Sequence, residues 1–183
     1  GGGIGLREWV FNATVIDDYD DPDPAKHIAN LAGDLALSGT GTGLLTAVDV
    51  GHAVTAVDGG VHVTTTTGVG HPIWAAEELS EEQQAASLPG TINVVCWCPV
   101  RLAEGALVNA VATIAEAKAQ ALWEAGVEGT GTVTDASVVL CPPSGDPESY
   151  GGPRSRVGAC LARAVHASVR AGLRVESTRF VPG

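Results

Sequence analysis

The sequence contains no methionine and few aromatic residues, and its first half contains almost no basic residues. Because methionine is absent, Gly1 is not a translation start, and we expect residues to be missing ahead of it. Aromatic residues make up 4% of the chain, which leaves little surface on which nucleic-acid bases can stack. The net charge is −11, and residues 1–100 account for all of it, since 13 acidic residues there face only Arg7 and Lys26. An acidic surface repels phosphate backbones, so the sequence predicts no nucleic-acid partner.

Long apolar segments and metal-type cysteine spacings are also missing. No run approaches the roughly 18 apolar residues of a membrane span, and no signal peptide is visible, which predicts a cytoplasmic protein without a membrane partner. The acidic loop at 17–23 lacks the spacing of a calcium-binding EF-hand. No C-x-x-C pair joins the four cysteines, which are Cys96, Cys98, Cys141 and Cys160. We expect buried free thiols, with a disulfide or a metal as the alternative, and we expect neither a bound metal nor a cofactor.

The chain length and the pattern of apolar segments predict a single α/β domain over residues 1–183. We expect a mixed β-sheet with packed helices, and a layered α+β arrangement is the alternative. Periodicity and turn signals predict strands at 9–16, 44–50, 53–57, 60–67, 91–98 and 133–141, and helices at 25–37, 102–126 and 156–173. The glycine-rich segment 38–43 is expected to be a turn, and the polar segment 77–90 a surface helix or lid.

One lysine on the long helix is out of place in the predicted pattern. A helical wheel puts an apolar face opposite a polar face, and Lys118 falls in the apolar face between Ile114 and Leu122. The apolar face is Leu107, Val108, Val111, Ile114 and Leu122, and the polar face is Asn109, Thr113, Glu116, Gln120 and Glu124. The lysine either extends to solvent along its aliphatic stem or meets a partner. The next strand begins with Asp135, which makes a Lys118–Asp135 pair the sharper hypothesis.

Several stretches of the sequence together resemble a known family. The main ones are PGTINVV (89–95), ALVNAVATIAEAKAQALWEAGV (106–127), GTGTVTDASVV (129–139) and YGGPRSRVGACLARAVHASV (150–169). Shorter matches are GGGIGLREWVFNATV, LLTAVDV and TTGVGHP, so nearly the whole chain is covered. Their order and spacing resemble the adenosylcobinamide amidohydrolases, the CbiZ proteins of cobalamin salvage. The chain departs from the family pattern at Ala115, at Gly70-His71 and at Cys96-Trp97-Cys98.

The resemblance implies hydrolysis of the amide that joins a corrin side-chain carboxyl to aminopropanol, with adenosylcobyric acid as product. Two other classes stay open. One is a related amidase or lactamase-like enzyme that acts on another small amide. The other is a non-catalytic relative that binds a corrinoid or another ligand, and homo-oligomer formation is open in each case. The cobalt-liganding pattern D-x-H-x-x-G is absent, so we do not expect a histidine ligand to cobalt.

Amide hydrolysis requires a nucleophile, a proton for the leaving amine and donors for the oxyanion. Neither G-x-S-x-G nor H-E-x-x-H is present, so the serine-hydrolase and zincin mechanisms have no support. The catalytic candidates are Asp135, Lys118, Thr134 and His71, and the substrate-binding candidates are Thr46, Thr91, Asn93, Glu116, Thr132 and Tyr150.

We expect Asp135 to activate water, with Lys118 setting its charge state or stabilising the oxyanion. His71 is expected to carry a proton, the alternative being an ordinary turn histidine, and Thr134 as nucleophile is the second mechanism. The family match places Glu116 in the site, whereas the helical wheel places it in solvent or at a subunit interface.

Overall fold

The computed structural model describes residues 2–16, 19–78, 80, 81 and 90–177 of the chain. Its strands and helices alternate along much of the sequence. They are β1 (Trp9–Thr14), α1 (Pro24–Asp34), β2 (Gly41–Thr46), β3 (Val54–Asp58), β4 (Val61–Thr67), β5 (Ile92–Trp97), α2 (Glu104–Glu124), β6 (Ala136–Leu140) and α3 (Arg156–Ser177). The α/β class is confirmed. The segment 77–90, predicted as a surface helix or lid, falls mostly on residues 79 and 82–89, which lie outside the described residues.

The strands form two sheets, and only one of them has mixed strand directions. β3, β4 and β5 pair antiparallel, and β6 joins β5 in parallel, in the order β3-β4-β5-β6. β1 and β2 form a separate parallel pair, with α1 between them in the chain. The sequence predicted the mixed sheet but not this separate pair.

Alternation along β4 decides which face of the larger sheet is covered by helices. Val61 and Val63 are fully buried, and Thr65 shares a hydrogen bond with Ser168 of α3 at 2.8 Å, so these residues face the helices. His62 and Thr64 lie between them on the other face and are exposed. Such alternation is what a period of two residues produces in a strand with one buried face. The core therefore lies between this sheet and the pair of helices α2 and α3.

Helix α2 buries a face rich in alanine rather than the predicted face of branched residues. Val108 and Val111 are exposed, whereas Thr113, placed on the polar face by the helical wheel, is buried and donates to Gly151 O at 2.9 Å. Its buried residues are Ala106, Ala110, Thr113, Ile114, Ala117, Ala121 and Leu122. The predicted apolar face was therefore wrong, because the buried face of α2 is rotated away from it by part of a turn. Small side chains on the true face allow α2 to lie close to α3 and to the loop before it.

Several predicted boundaries differ from the structure by two to four residues, and two of them have identifiable reasons. β2 begins at Gly41 instead of residue 44, because Gly41 and Gly43 leave room for the stacked rings of Trp9 and Phe11 on β1. β6 begins at Ala136 instead of residue 133, because the preceding residues form a turn. The strands predicted at 53–57 and 60–67 are confirmed and form a hairpin, with its turn at Gly59 and Gly60, both at positive φ.

The four cysteines are free, but the expected burial holds for Cys96 and Cys98 only, since Cys141 and Cys160 are partly buried. Cys96 and Cys98 are fully buried, and burial raises the pKa of the Cys98 thiol to about 11, so this thiol is protonated at neutral pH. Within the described residues, no cluster of metal-ligating side chains is found. In the same part of the chain, none of the helices combines the length and the apolar character needed to cross a membrane.

A glycine on α3 marks the closest approach between that helix and the loop before it. A Cβ added at Gly158 would overlap the carbonyl oxygens of Gly151 and Gly152. Backbone atoms cannot swing aside as a flexible side chain can, so we expect Gly158→Ala to lower the free energy of unfolding by about 2 kcal/mol or more. Urea unfolding followed by circular dichroism measures the loss. Gly105→Ala is the control, because nothing lies within 4 Å of its added Cβ. Equal stability of the two variants would contradict the close packing.

An ion pair joins α3 to the hairpin of β3 and β4. Arg163 donates from Nε to Asp58 Oδ2 at 2.8 Å and from Nη2 to Asp58 Oδ1 at 2.6 Å. This bidentate hydrogen bonding lowers the pKa of the Asp58 carboxyl from 3.8 to about 2. Because the pKa is lower in the folded state, the stabilisation is present above pH 3.8 and is lost as the pH falls towards 2.

We therefore expect the difference in melting temperature between the parent protein and Asp58→Asn to shrink as the pH is lowered. The two proteins should differ most at pH 6 and least at the lowest pH, because Asp58 becomes protonated as the pH falls through its folded-state pKa of about 2 and then resembles asparagine. Thermal unfolding at half-unit pH steps gives the comparison. Asp146→Asn, which changes an exposed acid on a loop, is the control and should show no such convergence. A difference independent of pH would show that the ion pair does not stabilise the fold.

Candidate active site

The candidate residues gather at the edge of the larger sheet where β5 and β6 begin. The parallel register pairs Asn93 with Ala136, so the two strands start side by side. β4 ends at the same edge, since its last residue, Thr67, pairs with Ile92. The loops around 68–73, 90–91 and 129–135 therefore meet there, although they are far apart in the sequence.

The Asp135 carboxylate is surrounded by donors from this chain. Its Oδ1 accepts from Ile92 N at 2.8 Å and from the Thr132 hydroxyl at 2.6 Å. Its Oδ2 accepts from Thr132 N at 3.1 Å and from Lys118 Nζ. The Asp135 and Lys118 side chains are only 12% and 14% exposed. A carboxylate has about four acceptor positions, so the protein itself occupies all of them.

The contact expected between Lys118 and Asp135 is thus present, and Gly131 makes room for it. A Cβ added at Gly131 would overlap both Asp135 Oδ2 and Lys118 Nζ. Lys118 reaches the carboxylate from the border of the buried face of α2, between Ile114 and Leu122 one turn away on either side. The pair connects α2, the start of β5 and the turn before β6. A helix and two strands are held together by one charged group.

The hydroxyl groups around this carboxylate differ in their exposure. The Thr132 hydroxyl is buried and lies 2.8 Å from Gly90 O as well as beside Asp135. The Thr134 hydroxyl lies 2.6 Å from that of Thr91 and 3.3 Å from Gly90 O. Thr91 is buried, whereas Thr134 is exposed. Among the threonines of this cluster that surround Gly90 O, Thr134 is the exposed residue.

His71 lies on the rim of the same cluster. Two residues after it, Ile73 donates its backbone N–H to Gly131 O at 2.9 Å, and Ile73 O accepts from Thr130 N at 2.9 Å. On the other side, Gly90 has a φ of +147°, and a Cβ added to it would lie 3.5 Å from Gly70 N. The His71 side chain is exposed. The loop that carries His71 thus lies directly against the loop that leads to Thr134.

Two of the predicted substrate-binding residues instead make hydrogen bonds to other parts of the protein. Asn93 is buried, and its Nδ2 donates to Asn12 Oδ1 at 3.0 Å and to Leu45 O at 2.8 Å. Thr46 is also buried, and its hydroxyl accepts from Val48 N at 3.1 Å. The Asn93 side chain fastens the β1–β2 pair to the larger sheet, whereas the Thr46 hydroxyl is used in the segment that follows β2. We therefore assign them to the support of the site and not to its surface.

Two further candidates lie apart from the cluster. Glu116 is exposed on α2 and has no hydrogen bond or ion pair within the described residues. Tyr150 is exposed and precedes Gly151, which packs against Ala106 and Ala110 of α2. Those alanines precede Lys118 by at least two turns, roughly 12 Å along the helix. The structure brings neither residue to Asp135.

Two residues beside the cluster were not predicted from the sequence. Asn12 on β1 accepts from Asn93 and donates through Nδ2 to the Thr66 hydroxyl at 3.0 Å. Thr66 pairs with Asn93 in the register of β4 and β5. Asn12 belongs to the early stretch GGGIGLREWVFNATV, so the resemblance contained a signal for it. Thr66 had none, because it is one of four consecutive threonines in the sequence.

Comparison with known proteins finds relatives of this chain. The family model described as adenosylcobinamide amidohydrolase matches residues 1–179. A relative from Methanosarcina mazei with that name is 33% identical over 95% of this chain and 86% of its own length. A relative from Halobacterium salinarum with the same name is 34% identical over 94% of this chain and 76% of its own. No solved structure matches the chain. By its family match and these relatives, the chain belongs to the adenosylcobinamide amidohydrolase family.

Proposed function

We propose that this protein hydrolyses the aminopropanol amide of adenosylcobinamide at the cluster around Asp135 and Thr134, releasing aminopropanol and adenosylcobyric acid. The strongest support is that three of the segments that resemble the family meet at one edge of the larger sheet. Lys118, Gly90 and Thr134 come from separate segments, yet all lie around the Asp135 carboxylate. We infer a cytoplasmic location as well, because free thiols are typical of a reducing compartment.

Asp135 is poorly suited to activate water, because both of its oxygens already accept two hydrogen bonds. A base must offer a free lone pair to the proton that it removes. This favours the second of the two mechanisms considered from the sequence, with the exposed Thr134 hydroxyl as nucleophile. The Thr91 hydroxyl at 2.6 Å can donate to the Thr134 oxygen as its proton leaves.

The proposed reaction has two steps that balance. Thr134 Oγ1 attacks the amide carbon, an ester bond forms, and the carbon–nitrogen bond breaks. The threonine proton passes to His71 and from there to the leaving aminopropanol nitrogen. Water then hydrolyses the ester, which gives the carboxylic acid and restores the hydroxyl.

Lys118 has two roles in this proposal. One of its three N–H groups donates to Asp135, which fixes the turn that carries Thr134. The other two have no partner within the described residues and can donate to the oxyanion as it forms. The positive charge of Lys118 is thus held near the reacting carbon without reorganisation of the site.

We expect Thr134→Ala to lower kcat by about 1000-fold or more, because the nucleophile is removed, and Thr134→Ser to keep measurable activity. Liquid chromatography of adenosylcobyric acid released from adenosylcobinamide gives the rate. Intact-mass spectrometry should detect the acylated parent protein but no acylated Thr134→Ala. Glu116→Gln and Tyr150→Phe are the controls and should retain the parent rate. Parental turnover by Thr134→Ala would exclude direct attack by this hydroxyl and leave a water mechanism.

The ion pair should show strong coupling in a double-mutant cycle. Lys118→Met leaves a largely buried carboxylate without its cation, so we expect a loss of about 3 kcal/mol in the free energy of unfolding. Asp135→Asn should also destabilise the protein. The double variant should lose at least about 1 kcal/mol less than the sum of the two single losses. Urea unfolding provides all four values, with Glu116→Gln as a control on the same helix. Additive losses would show that the pair does not act as a unit.

A further inference from the structure

Two exposed tryptophans lie next to the cluster, and the chemistry proposed above does not use them. Trp74 follows the loop that carries His71 and is 40% exposed, and Trp123 lies in the last turn of α2 and is 69% exposed. Their ring centroids are 6.2 Å apart, with the ring planes at 61°. Unlike the other exposed aromatic residues, Trp97 and Tyr150, these two rings contact each other and form one continuous aromatic surface. Together we call these two residues the tryptophan platform.

The tryptophan platform is continuous with the cluster through the backbone. Ile73, the residue before Trp74, is hydrogen-bonded to Gly131, and Ala75, the residue after it, donates to the Thr130 hydroxyl at 3.0 Å. Gly131 in turn packs directly against the Lys118–Asp135 pair. Trp74 is therefore joined through hydrogen-bonded neighbours to the loop that leads to Thr134.

Acidic residues flank both rings in the sequence, and one of them, Glu124 beside Trp123, is paired with His166 and Arg170 of α3. The Trp74 backbone N–H donates to Glu77 Oε2 at 3.3 Å, and Glu78 and Glu128 are exposed nearby in the sequence. Segments 68–81 and 119–135, which carry the two rings and the loop around Gly131, contain no lysine or arginine. A cation is attracted both by these carboxylates and by the negative faces of the rings. The charge and the aromatic surface together fit a flat ligand with a positive charge.

We propose that the tryptophan platform binds the planar ring of the substrate, a cationic and largely apolar macrocycle of the corrin class, so that its side-chain amide reaches Thr134. This inference rests on the proposed function and specifies how that substrate is recognised. Cobinamide lacks the nucleotide phosphate and carries a net positive charge on its cobalt(III) corrin. The hydroxyls and the ion pair contact only the reacting amide. Recognition of the much larger ring needs a separate surface, and the angled pair of rings provides apolar area against which the rim of the macrocycle can pack.

Binding and catalysis are measured separately to test the inference. Equilibrium dialysis with cobinamide, read by the absorbance of the corrin, gives Kd for the parent, Trp74→Ala, Trp123→Ala and Trp74→Phe. We expect each alanine variant to raise Kd about tenfold, and Trp74→Phe to retain most of the affinity. Trp97→Ala is the matched control, because Trp97 is 43% exposed but lies at the far end of β5, roughly 17 Å from Ile92. It should bind as the parent does.

The same variants should raise KM for adenosylcobinamide in proportion to Kd and leave kcat near the parental value. Unchanged Kd in both alanine variants, or no binding of cobinamide to the parent, would overturn the tryptophan platform even if the parent hydrolyses the amide. Binding that depends on both tryptophans in a parent without hydrolytic activity would support the platform and reject the proposed function. Sedimentation of the variants tests the other occupant, a second copy of the chain. A change of oligomeric state with unchanged Kd would assign the rings to a subunit interface instead.

Discussion

The Asp135 carboxylate accepts hydrogen bonds from three separate parts of the chain, and the geometry of the site depends on this one group. A charged oxygen pair that is largely removed from water must be compensated by donors, or the fold loses several kcal/mol. Here the compensation comes from α2 through Lys118, from the first residue of β5, and from the turn through Thr132. Satisfying the charge therefore fixes the relative positions of these elements. Thr134, next in the chain to Asp135, is placed as a consequence.

The hydrogen bonds that Asp135 accepts also change the catalytic role that the sequence suggested for it. A carboxylate close to a lysine in a cleft has the composition of an acid–base pair, and that was the first hypothesis from the sequence. With four donors on two oxygens, however, Asp135 has no position left for a water molecule. In the proposed reaction, the hydroxyl of Thr134 and the exposed imidazole of His71 are then the reactive groups. Lys118 can take part in it as well, because within the described residues only one of its donors is used, by Asp135.

Small residues make the approach of these elements possible. Gly131 leaves space for the ion pair, and Gly158 leaves space for the loop that precedes α3. Alanines on the buried face of α2 allow that helix to lie against its neighbours without long side chains between them. The cost of this close packing is a core with few large side chains. Near the site, the rings of Trp74 and Trp123 are exposed and can contact a ligand.

The sequence by itself determined the order of the elements, the mixed sheet and the pairing of Lys118 with Asp135. Each of these follows from local information: period-two alternation in β4, a glycine turn between β3 and β4, and a lysine in a helical segment shortly before an aspartate. The family was also recognisable, because its motifs occur in order along nearly the whole chain.

Only the tertiary structure decided which face of α2 is buried, which threonine is open, and which polar side chains serve the fold. Thr113 is buried because Gly151 O accepts its hydroxyl proton, and Asn93 is occupied because Asn12 and Leu45 meet it from another sheet. Glu116 and Tyr150 lie apart from the cluster although their motifs match the family. Periodicity fixes the spacing of side chains within one element. Burial and hydrogen bonding depend on the element packed against it, and that partner is set by contacts between residues far apart in the chain.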